Sequence, residues 1–435
     1  MPSFGSTKEV TPKPNPGKPS EGGPKRGLSL TQEAIRQLRK NRVAMASFWT
    51  LVAVGLLSFF SPLFPMQPPD KVFTDQKFSE PSWLLQEPAK GTAEQEEEPI
   101  DRSLFIKTFS LDAERIADQG ERVEAAEADL AEARRAYRES RGEERDEAIR
   151  QLRRQKNRVE DIVQRPYRDA GFPVLGPLSR AMVRARYALF GEWSINAICG
   201  RDKLGRDIFS RIFWGSRVSL IVGLVATIVS VVIGVTYGAI AGYTGGWVDG
   251  AMMRLVDVLY SVPFIFVVIF VISILDDPQI RAWREEYGLS RIVIFYLVVG
   301  AIYWLTMARV VRGQVISLRN EPFVESARAI GVTHAGIVFR HIVPNLLSVV
   351  IVYLTLTIPR VILFEAFLSF LGLGVEPPDV SWGLLANEGI QVITPVKVYW
   401  WLIVFPSGAI GITLFALNFL GDGLRDAFDP RLRDQ

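Results

Sequence analysis

The chain has 435 residues, of which 48% are apolar and 22% are charged, and its mean hydropathy is +0.16. This composition is too apolar for an ordinary soluble protein and too charged for a bare bundle of membrane spans. The net charge of +3 is small and gives no reason to expect a nucleic-acid partner. The single cysteine, Cys199, excludes an internal disulfide and a cysteine-ligated metal site, and the two histidines, His334 and His341, are too few to favour a metal site.

The N-terminal region divides into three predicted parts. Residues 1–28 are rich in proline, glycine, serine and lysine, which predicts a disordered cytoplasmic tail. Residues 29–43 predict an amphipathic helix on the membrane surface, capped by Ser29 or Thr31. The apolar run 44–64 predicts a first transmembrane anchor, which is not cleaved because no small-residue cleavage site follows it.

Residues 65–216 predict a large external insertion. Its centre, from about 112 to 164, is strongly helical in composition, and Val123, Ala126 and Leu130 follow heptad spacing. This pattern predicts a hairpin of two antiparallel helices. Two interpretations of the hairpin stay open: a solvated insertion with no separate function, or a docking arm for an external partner.

Six runs are apolar enough to cross a bilayer, which needs about 20 residues in a helix. In chain order they are 44–64, 218–243, 255–275, 292–311, 346–373 and 398–419. Pro263, Pro359 and Pro406 lie within three of them and predict kinks. The predicted fold class is therefore all-α: a polytopic membrane protein with six transmembrane helices and a large external helical insertion. The membrane core covers 217–421, and 422–435 form a cytoplasmic tail.

Basic residues beside the spans predict their orientation. Several precede the first span, from Arg36 to Arg42, so the N-terminus is expected in the cytoplasm. Six spans return the C-terminus to the same side, and the loop at 313–345 is cytoplasmic too. A basic cluster at 201–217 falls on the outer side, where the rule weakens because the segment is long.

The sequence contains no P-loop, no His-Glu-x-x-His and no Gly-x-Ser-x-Gly motif. It therefore predicts no catalytic site, no metal and no cofactor. The energy for any transport must come from a partner or from an ion gradient.

Charged residues at membrane depth are costly, and this makes them candidates for function. Asp257 is expected to pair with Arg254, one helical turn away. Arg360 and Glu365 lie deeper and point in different directions. Two alternatives stay open for them: they face the transport pathway, or they pair with residues on other helices.

The loop 313–345 is longer and more patterned than a simple connector needs to be. Pro322 suits the first turn of a helix, Gly331 suits its stop, and a second short helix from about 335 leads to Pro344. The pattern predicts a helix-turn-helix along the membrane face, suited to fit a cleft in a soluble protein. The alternative is a merely amphipathic connector.

Within this loop the series Glu325-Ser326-Ala327, Gly331 and Pro344 resembles the EAA loop of ABC-importer permeases. Ser326 stands where the family usually has alanine, and Val343 where it has leucine. The stretches "GRDKLGRDIFSRIFWGSRVSLIVG" and "EAFLSFLGLGVEPPDVSWG" narrow the resemblance to the C-type subunit of the peptide/nickel permeases. It covers about 28–65 and 190–435 but not 66–189.

The resemblance implies a multi-pass permease of the bacterial inner membrane, with both termini cytoplasmic. Its partners would be a second homologous permease subunit, two ABC ATPase subunits and an extracytoplasmic substrate-binding protein, all assembled in the lipid bilayer. The ATPase-coupling residues would be Glu325, Ser326, Ala327, Gly331 and Pro344. Closure of the ATPases would move this loop and switch the spans between inward- and outward-facing states.

A second set of residues matches the family's external Gly-Arg-Asp stretch: Asp202, Gly205, Arg206 and Asp207. We expect Asp207 to pair locally with Arg211, four residues on. Di- or oligopeptides are the expected cargo, while nickel complexes and peptide-like antibiotics stay open.

Two other classes were weighed against the ABC permease. An ion-coupled secondary transporter usually shows inverted repeats, and this sequence has no internal duplication. A membrane-anchored sensor or scaffold would use the external hairpin as its receptor, but would need an output domain, and none follows the sixth run.

Overall fold

The computed structural model describes residues 30–83, 105–108, 111, 113–141, 144–275, 277–287, 291–377 and 379–428. In chain order its helices are α1 (Leu30–Lys40), α2 (Arg42–Phe59), α3 (Ala113–Glu139), α4 (Glu144–Asp169), α5 (Pro177–Phe190), α6 (Ile208–Thr244), α7 (Gly246–Ser261), α8 (Phe264–Leu275), α9 (Pro278–Tyr287), α10 (Arg291–Leu318), α11 (Pro322–Ala329), α12 (His334–Gly336), α13 (Val343–Asn345), α14 (Leu347–Phe370), α15 (Trp382–Ile390) and α16 (Trp401–Phe428). A π-helix (Ile337–Ile342) joins α12 to α13, and two three-residue strands, β1 (Phe105–Lys107) and β2 (Trp193–Ile195), pair antiparallel.

The all-α polytopic class is confirmed. Five helices in the described residues are long and apolar enough to cross a membrane: α2, α6, α10, α14 and α16. The remaining predicted run, the third in chain order, corresponds to the pair α7 and α8. The disordered tail predicted for 1–28 and the end of the predicted C-terminal tail, 429–435, lie outside the described residues.

The third predicted span is not one kinked helix. Helices α7 and α8 meet at 79° across a break at Val262 and Pro263. Proline has no N–H to donate and disfavours helical geometry in the residue before it, and Val262 is accordingly extended, at φ −81° and ψ 122°. The kink predicted at Pro263 is therefore a complete break between two helices.

Among the other span boundaries, the largest differences from the predictions are at the start of α6 and the end of α16. Helix α6 begins at Ile208, ten residues before the predicted second span, because the Asp207 carboxylate accepts hydrogen bonds from the N–H groups of Phe209 and Ser210. Helix α16 runs on to Phe428, and Gly423 within it packs against Ala44 of α2. The start of α2 is thus packed against the end of α16.

Helices α6 and α10 pack closely along each other. Gly234, Gly238 and Gly242 recur every four residues of α6 and so lie on one face. A side chain on any of them would collide with α10, at Met307, the Ala308 carbonyl or the Arg312 carbonyl. Glycine at this spacing lets two helix backbones approach closely in a membrane.

The predicted hairpin is formed by α3 and α4, which pack along each other with Ala126 and Leu130 buried. Its base packs against the start of α6, where Tyr167 and Phe172 share an apolar cluster with Trp214. The Gln164 side-chain amide donates to the Leu175 carbonyl at 2.6 Å and accepts from the Leu175 N–H at 2.9 Å. The buried Arg186 guanidinium donates to the carbonyls of Phe64 and Met66, just beyond the first span.

We predict that Gly238→Ala destabilises the bundle by about 1–3 kcal/mol, since the added methyl group overpacks the α6–α10 contact. The control is Gly250→Ala in α7, where a methyl group meets nothing within 4 Å; removing a helical glycine there should stabilise by about 0.5–1 kcal/mol. Thermal denaturation of both variants in detergent tests the pair, and an unchanged melting temperature for Gly238→Ala would contradict the packing.

Candidate functional site

The loop singled out in the sequence folds as a compact unit, which we call the elbow: residues 322–345, formed by α11, α12, the π-helix and α13. Pro322 occupies the first turn of α11, and Gly331 turns the chain in the left-handed conformation at φ +80°. The Thr333 hydroxyl accepts from the Gly336 N–H and so starts the second helical piece. Local sequence signals therefore set the start and the stop of the elbow's first helix.

One face of the elbow is buried against the membrane core. The buried side chains are Val324, Ala327, Ile337, Val338 and Ile342, packed in one cluster with Ala239 of α6 and Met307, Val311 and Val315 of α10. The π-helix brings three of these five apolar side chains to the same face. The elbow packs against α6 and follows α10 directly in the sequence, so it is linked to both helices.

The opposite face of the elbow is open. Ile330 is 80% exposed, and Phe323 and Phe339 are 37% and 48% exposed. Glu325 and Ser326 are also exposed, as are Gly331 and Pro344. Of the five predicted coupling residues, only Ala327 points inward, at 3% exposure.

A polar junction fastens the elbow to the end of α6. The Tyr243 hydroxyl lies 2.9 Å from Nδ1 of His334, and the Arg328 guanidinium lies over the Tyr243 ring at 5.5 Å. Arg328 also donates to the Arg319 carbonyl, and Arg319 donates to the Gly242 carbonyl. This chain of contacts joins α11 and α12 to both α6 and α10.

At the other end of α6, the predicted Gly-Arg-Asp residues form a buried charge network. The Asp202 carboxylate accepts from Nε of Arg206 at 2.7 Å and from Nη1 of Arg211 at 2.8 Å. Its other oxygen accepts from the N–H groups of Leu204 and Arg206. Gly205 is in the left-handed conformation at φ +77°, and a side chain there would collide with the Phe73 carbonyl. The four residues of the motif thus act as one tight turn.

Arg211 does not pair with Asp207, contrary to the expectation from their spacing. Asp207 uses its carboxylate to cap α6, while Arg211 reaches Glu388 of α15 at 2.6 Å as well as Asp202. Burial raises the pKa of Asp207 to about 6, against the opposing effect of the nearby Arg201 charge. Burial would also raise the pKa of Glu388, but the charges of Arg211 and Arg206 hold it below its ordinary value. Sequence reasoning missed Glu388 because it lies 177 residues from Arg211.

The charged residues within the spans have partners on other helices. Asp257 forms its ion pair with Arg309 of α10 at 2.9 Å, and not with Arg254 as the spacing predicts. Asp249 of α7 holds Arg312 of α10 through two bonds of 2.5 and 2.6 Å, a pair that the sequence did not indicate. Both pairs connect the broken span to α10.

Arg360 and Glu365 lie on different faces of α14, as expected from their spacing. Glu365 is completely buried, and it accepts hydrogen bonds from the hydroxyls of Ser219 and Ser369. This matches the alternative of partners elsewhere in the subunit and takes Glu365 away from any pathway surface. Arg360 is exposed, and its carbonyl accepts from the Tyr303 hydroxyl of α10.

Two family models match the chain. Residues 234–434 match the binding-protein-dependent transport system inner membrane component, and residues 29–88 match the N-terminal TM domain of oligopeptide transport permease C. The elbow, α14 and α16 lie within the first match, and α1 and α2 within the second. The hairpin lies between the two matched segments.

Among curated relatives, the oligopeptide transport system permease protein OppC of Escherichia coli K12 is 47% identical over 234 residues, covering 54% of this chain and 72% of that protein. The dipeptide transport system permease protein DppC of Bacillus subtilis is 42% identical, covering 54% of this chain and 68% of that protein. The glutathione transport system permease protein GsiD of Shigella flexneri is 42% identical over 237 residues, with coverage of 54% and 72%.

A permease component of this kind is a multi-pass transport protein of the inner membrane and is not itself catalytic. Three findings point to the same family: the match to the membrane core, the match to the N-terminal span and the identity to the curated relatives. The chain belongs to the family of binding-protein-dependent inner membrane transport components, as a C-type permease subunit of the peptide/nickel class of ABC importers.

Proposed function

We propose that this chain is one of two permease subunits of an ATP-driven importer for di- or oligopeptides. Two ABC ATPase subunits bind the elbow, and an extracytoplasmic substrate-binding protein delivers the peptide to the other end of the spans. The observation that carries the proposal is the elbow, which is buried on one face against α6 and α10 and open on the other.

The open face of the elbow has the character of a protein-binding surface. Exposed aliphatic and aromatic side chains beside a charged group are typical anchors for a partner, and here Ile330, Phe323 and Phe339 accompany Glu325. A cleft in an ATPase subunit would cover these side chains. Glu325, Ser326, Gly331 and Pro344 would lie at or beside that contact, while Ala327 would hold α11 to the core.

Movement of the elbow reaches the spans by two routes. Helices α10 and α14 are continuous with it through the chain, so they follow it directly. Helix α6 is not adjacent to the elbow in the sequence. The Tyr243 junction and the apolar cluster link it to the elbow instead. ATP-driven closure of the ATPases would therefore shift three spans together and change which end of the bundle is open.

The peptide assignment of the cargo rests on the relatives, whose names specify oligopeptides, dipeptides and glutathione. In this assignment the elbow end faces the cytoplasm, together with both termini, and the Asp202 network and the hairpin face outward. The network holds the start of α6 to α15 at the outer end. Its role is positional, because its carboxylates are already occupied by Arg206 and Arg211.

Docking of the ATPases is tested with two variants on the open face of the elbow, Ile330→Asp and Glu325→Lys. Each should remove the ATPase subunits that co-purify with the tagged chain from its native membrane, since each places a new charge in the contact without disturbing the buried face. Co-purified ATP hydrolysis measures the loss.

The matched controls for docking are Leu189→Asp and Glu144→Lys, at exposed positions of α5 and α4. They should leave the ATPases bound. Retention of normal ATPase activity by both elbow variants would overturn the proposal.

The orientation predicts opposite labelling of two single cysteines, introduced after Cys199→Ala. Asn157→Cys on α4 and Ser326→Cys on α11 are both exposed positions. With the chain expressed without its ATPase partners, so that the elbow is uncovered, a membrane-impermeant maleimide should label the first in right-side-out vesicles and the second only after permeabilisation. The reverse pattern would invert the assigned sides.

The positional role of the network predicts that Arg211→Leu lowers the free energy of unfolding by about 3 kcal/mol or more, because it leaves buried carboxylates without their partner. The control is Arg168→Leu, which breaks an ion pair with Asp161 whose side chains are both 59% exposed and should cost at most about 1 kcal/mol. Thermal denaturation in detergent compares the two variants. Equal losses of stability for Arg211→Leu and Arg168→Leu would contradict the positional role of the network.

A further inference from the structure

A large cavity lies where the third span is broken. It has a volume of about 580 Å³, and side chains from α7, α8, α10 and the break itself line it. Sites for small molecules commonly have volumes of about 300–1,000 Å³. The cavity is therefore large enough for a ligand of the size of a peptide side chain and its neighbours.

The walls of the cavity are mostly apolar, with few polar groups. Phe264, Val267, Val271, Val298, Ala301 and Ile302 form most of the surface. The hydroxyl groups of the lining have partners: the Tyr260 hydroxyl lies 3.1 Å from the Thr306 hydroxyl, and the Tyr303 hydroxyl donates to the Arg360 carbonyl. Such a lining suits an apolar or aromatic group.

Charged side chains stand beside the cavity. The Arg309 guanidinium lies over the ring of Tyr260, a wall residue, at 4.3 Å and pairs with Asp257. The side chains of Arg309 and Asp257 are 42% and 54% exposed, and Arg360 is exposed next to Tyr303. Two of the three pathway candidates, Asp257 and Arg360, thus lie next to residues that contact or line the cavity: Asp257 pairs with Arg309, which lies over Tyr260, and the Arg360 carbonyl accepts from Tyr303.

These charges favour one occupant over the others. A lipid chain in the cavity would leave a carboxylate and a guanidinium facing hydrocarbon, which is costly. The core of a subunit interface is depleted of charged residues. A peptide combines apolar side chains with a cationic amine and an anionic carboxylate, and it complements both the walls and the flanking ion pair.

We propose that this cavity receives an apolar side chain of the peptide during transport, while the peptide's charged groups lie toward Asp257, Arg309 and Arg360. The inference rests on the proposed function and adds to it a specificity site within this subunit. The cavity would make the importer favour peptides with bulky apolar side chains over those without them.

The test fills the cavity with Ala301→Trp in the complete importer. ATP-dependent uptake of two labelled tripeptides, Ala-Phe-Ala and Ala-Gly-Ala, is measured in membrane vesicles. Uptake of Ala-Phe-Ala should fall about tenfold relative to Ala-Gly-Ala, the discrimination that a hydrophobic pocket typically supplies. Leu224→Trp, on an exposed face of α6 away from the cavity, should leave the ratio unchanged.

Four results would overturn the site. If the ratio of Ala-Phe-Ala to Ala-Gly-Ala uptake is unchanged, or if uptake of both peptides falls equally, the cavity has no role in specificity. Loss of the second permease subunit from Ala301→Trp preparations would show that the second subunit, and not a peptide, occupies the cavity. Wild-type vesicles that import neither peptide would refute peptide import itself, and the site would fall with it.

A cysteine variant keeps the test decisive even if the tryptophan disturbs folding. Ala301→Cys should react with a water-soluble maleimide, and Ala-Phe-Ala should slow the reaction several-fold more than Ala-Gly-Ala does. Reaction with lipid-soluble maleimides alone would assign the cavity to lipid. The native Cys199 is buried, and burial raises the pKa of its thiol to about 12, so it contributes little background.

Discussion

The close contact between α6 and α10 is the constraint on which the rest of this subunit depends. Three glycines on one face of α6 let the two backbones approach closely. Helix α6 has 37 residues and spans about 55 Å, more than the thickness of the hydrocarbon core. Its two ends therefore carry the Asp202 network on one side of the bundle and the Tyr243 junction on the other.

This rigid pair explains how a small elbow can act on a large membrane domain. The elbow buries five apolar side chains in the groove between α6 and α10, so it cannot move without them. The π-helix contributes to this, since its wider turn presents Ile337, Val338 and Ile342 to the same cluster. Segments of this kind are frequent at functional positions of helical proteins.

Charged residues have different roles in the Asp202 network and within the spans. In the Asp202 network, Arg206 and Arg211 are buried with Asp202, and burying charges is costly unless they are paired. Within the spans, Glu365 is held by serine hydroxyls, while Asp257 and Arg309 remain exposed beside a cavity. The buried groups join helices to one another, and the exposed Asp257–Arg309 pair joins α7 to α10 beside the cavity.

The sequence by itself determined the class of the protein, most of its spans and the elbow. Long apolar runs have no stable place outside a bilayer, so the spans can be predicted without the fold. Pro322 and Gly331 act through local backbone geometry, so the start and stop of the elbow's first helix can be predicted without it too. The hairpin likewise follows from heptad spacing in α3 and α4. The tertiary structure decided which charges meet: Arg211 finds Glu388, and Asp257 finds Arg309, because helix packing brings distant segments together. It also decided the break at Pro263, since composition shows that a proline bends a span but not that the two halves separate by 79° and leave a cavity.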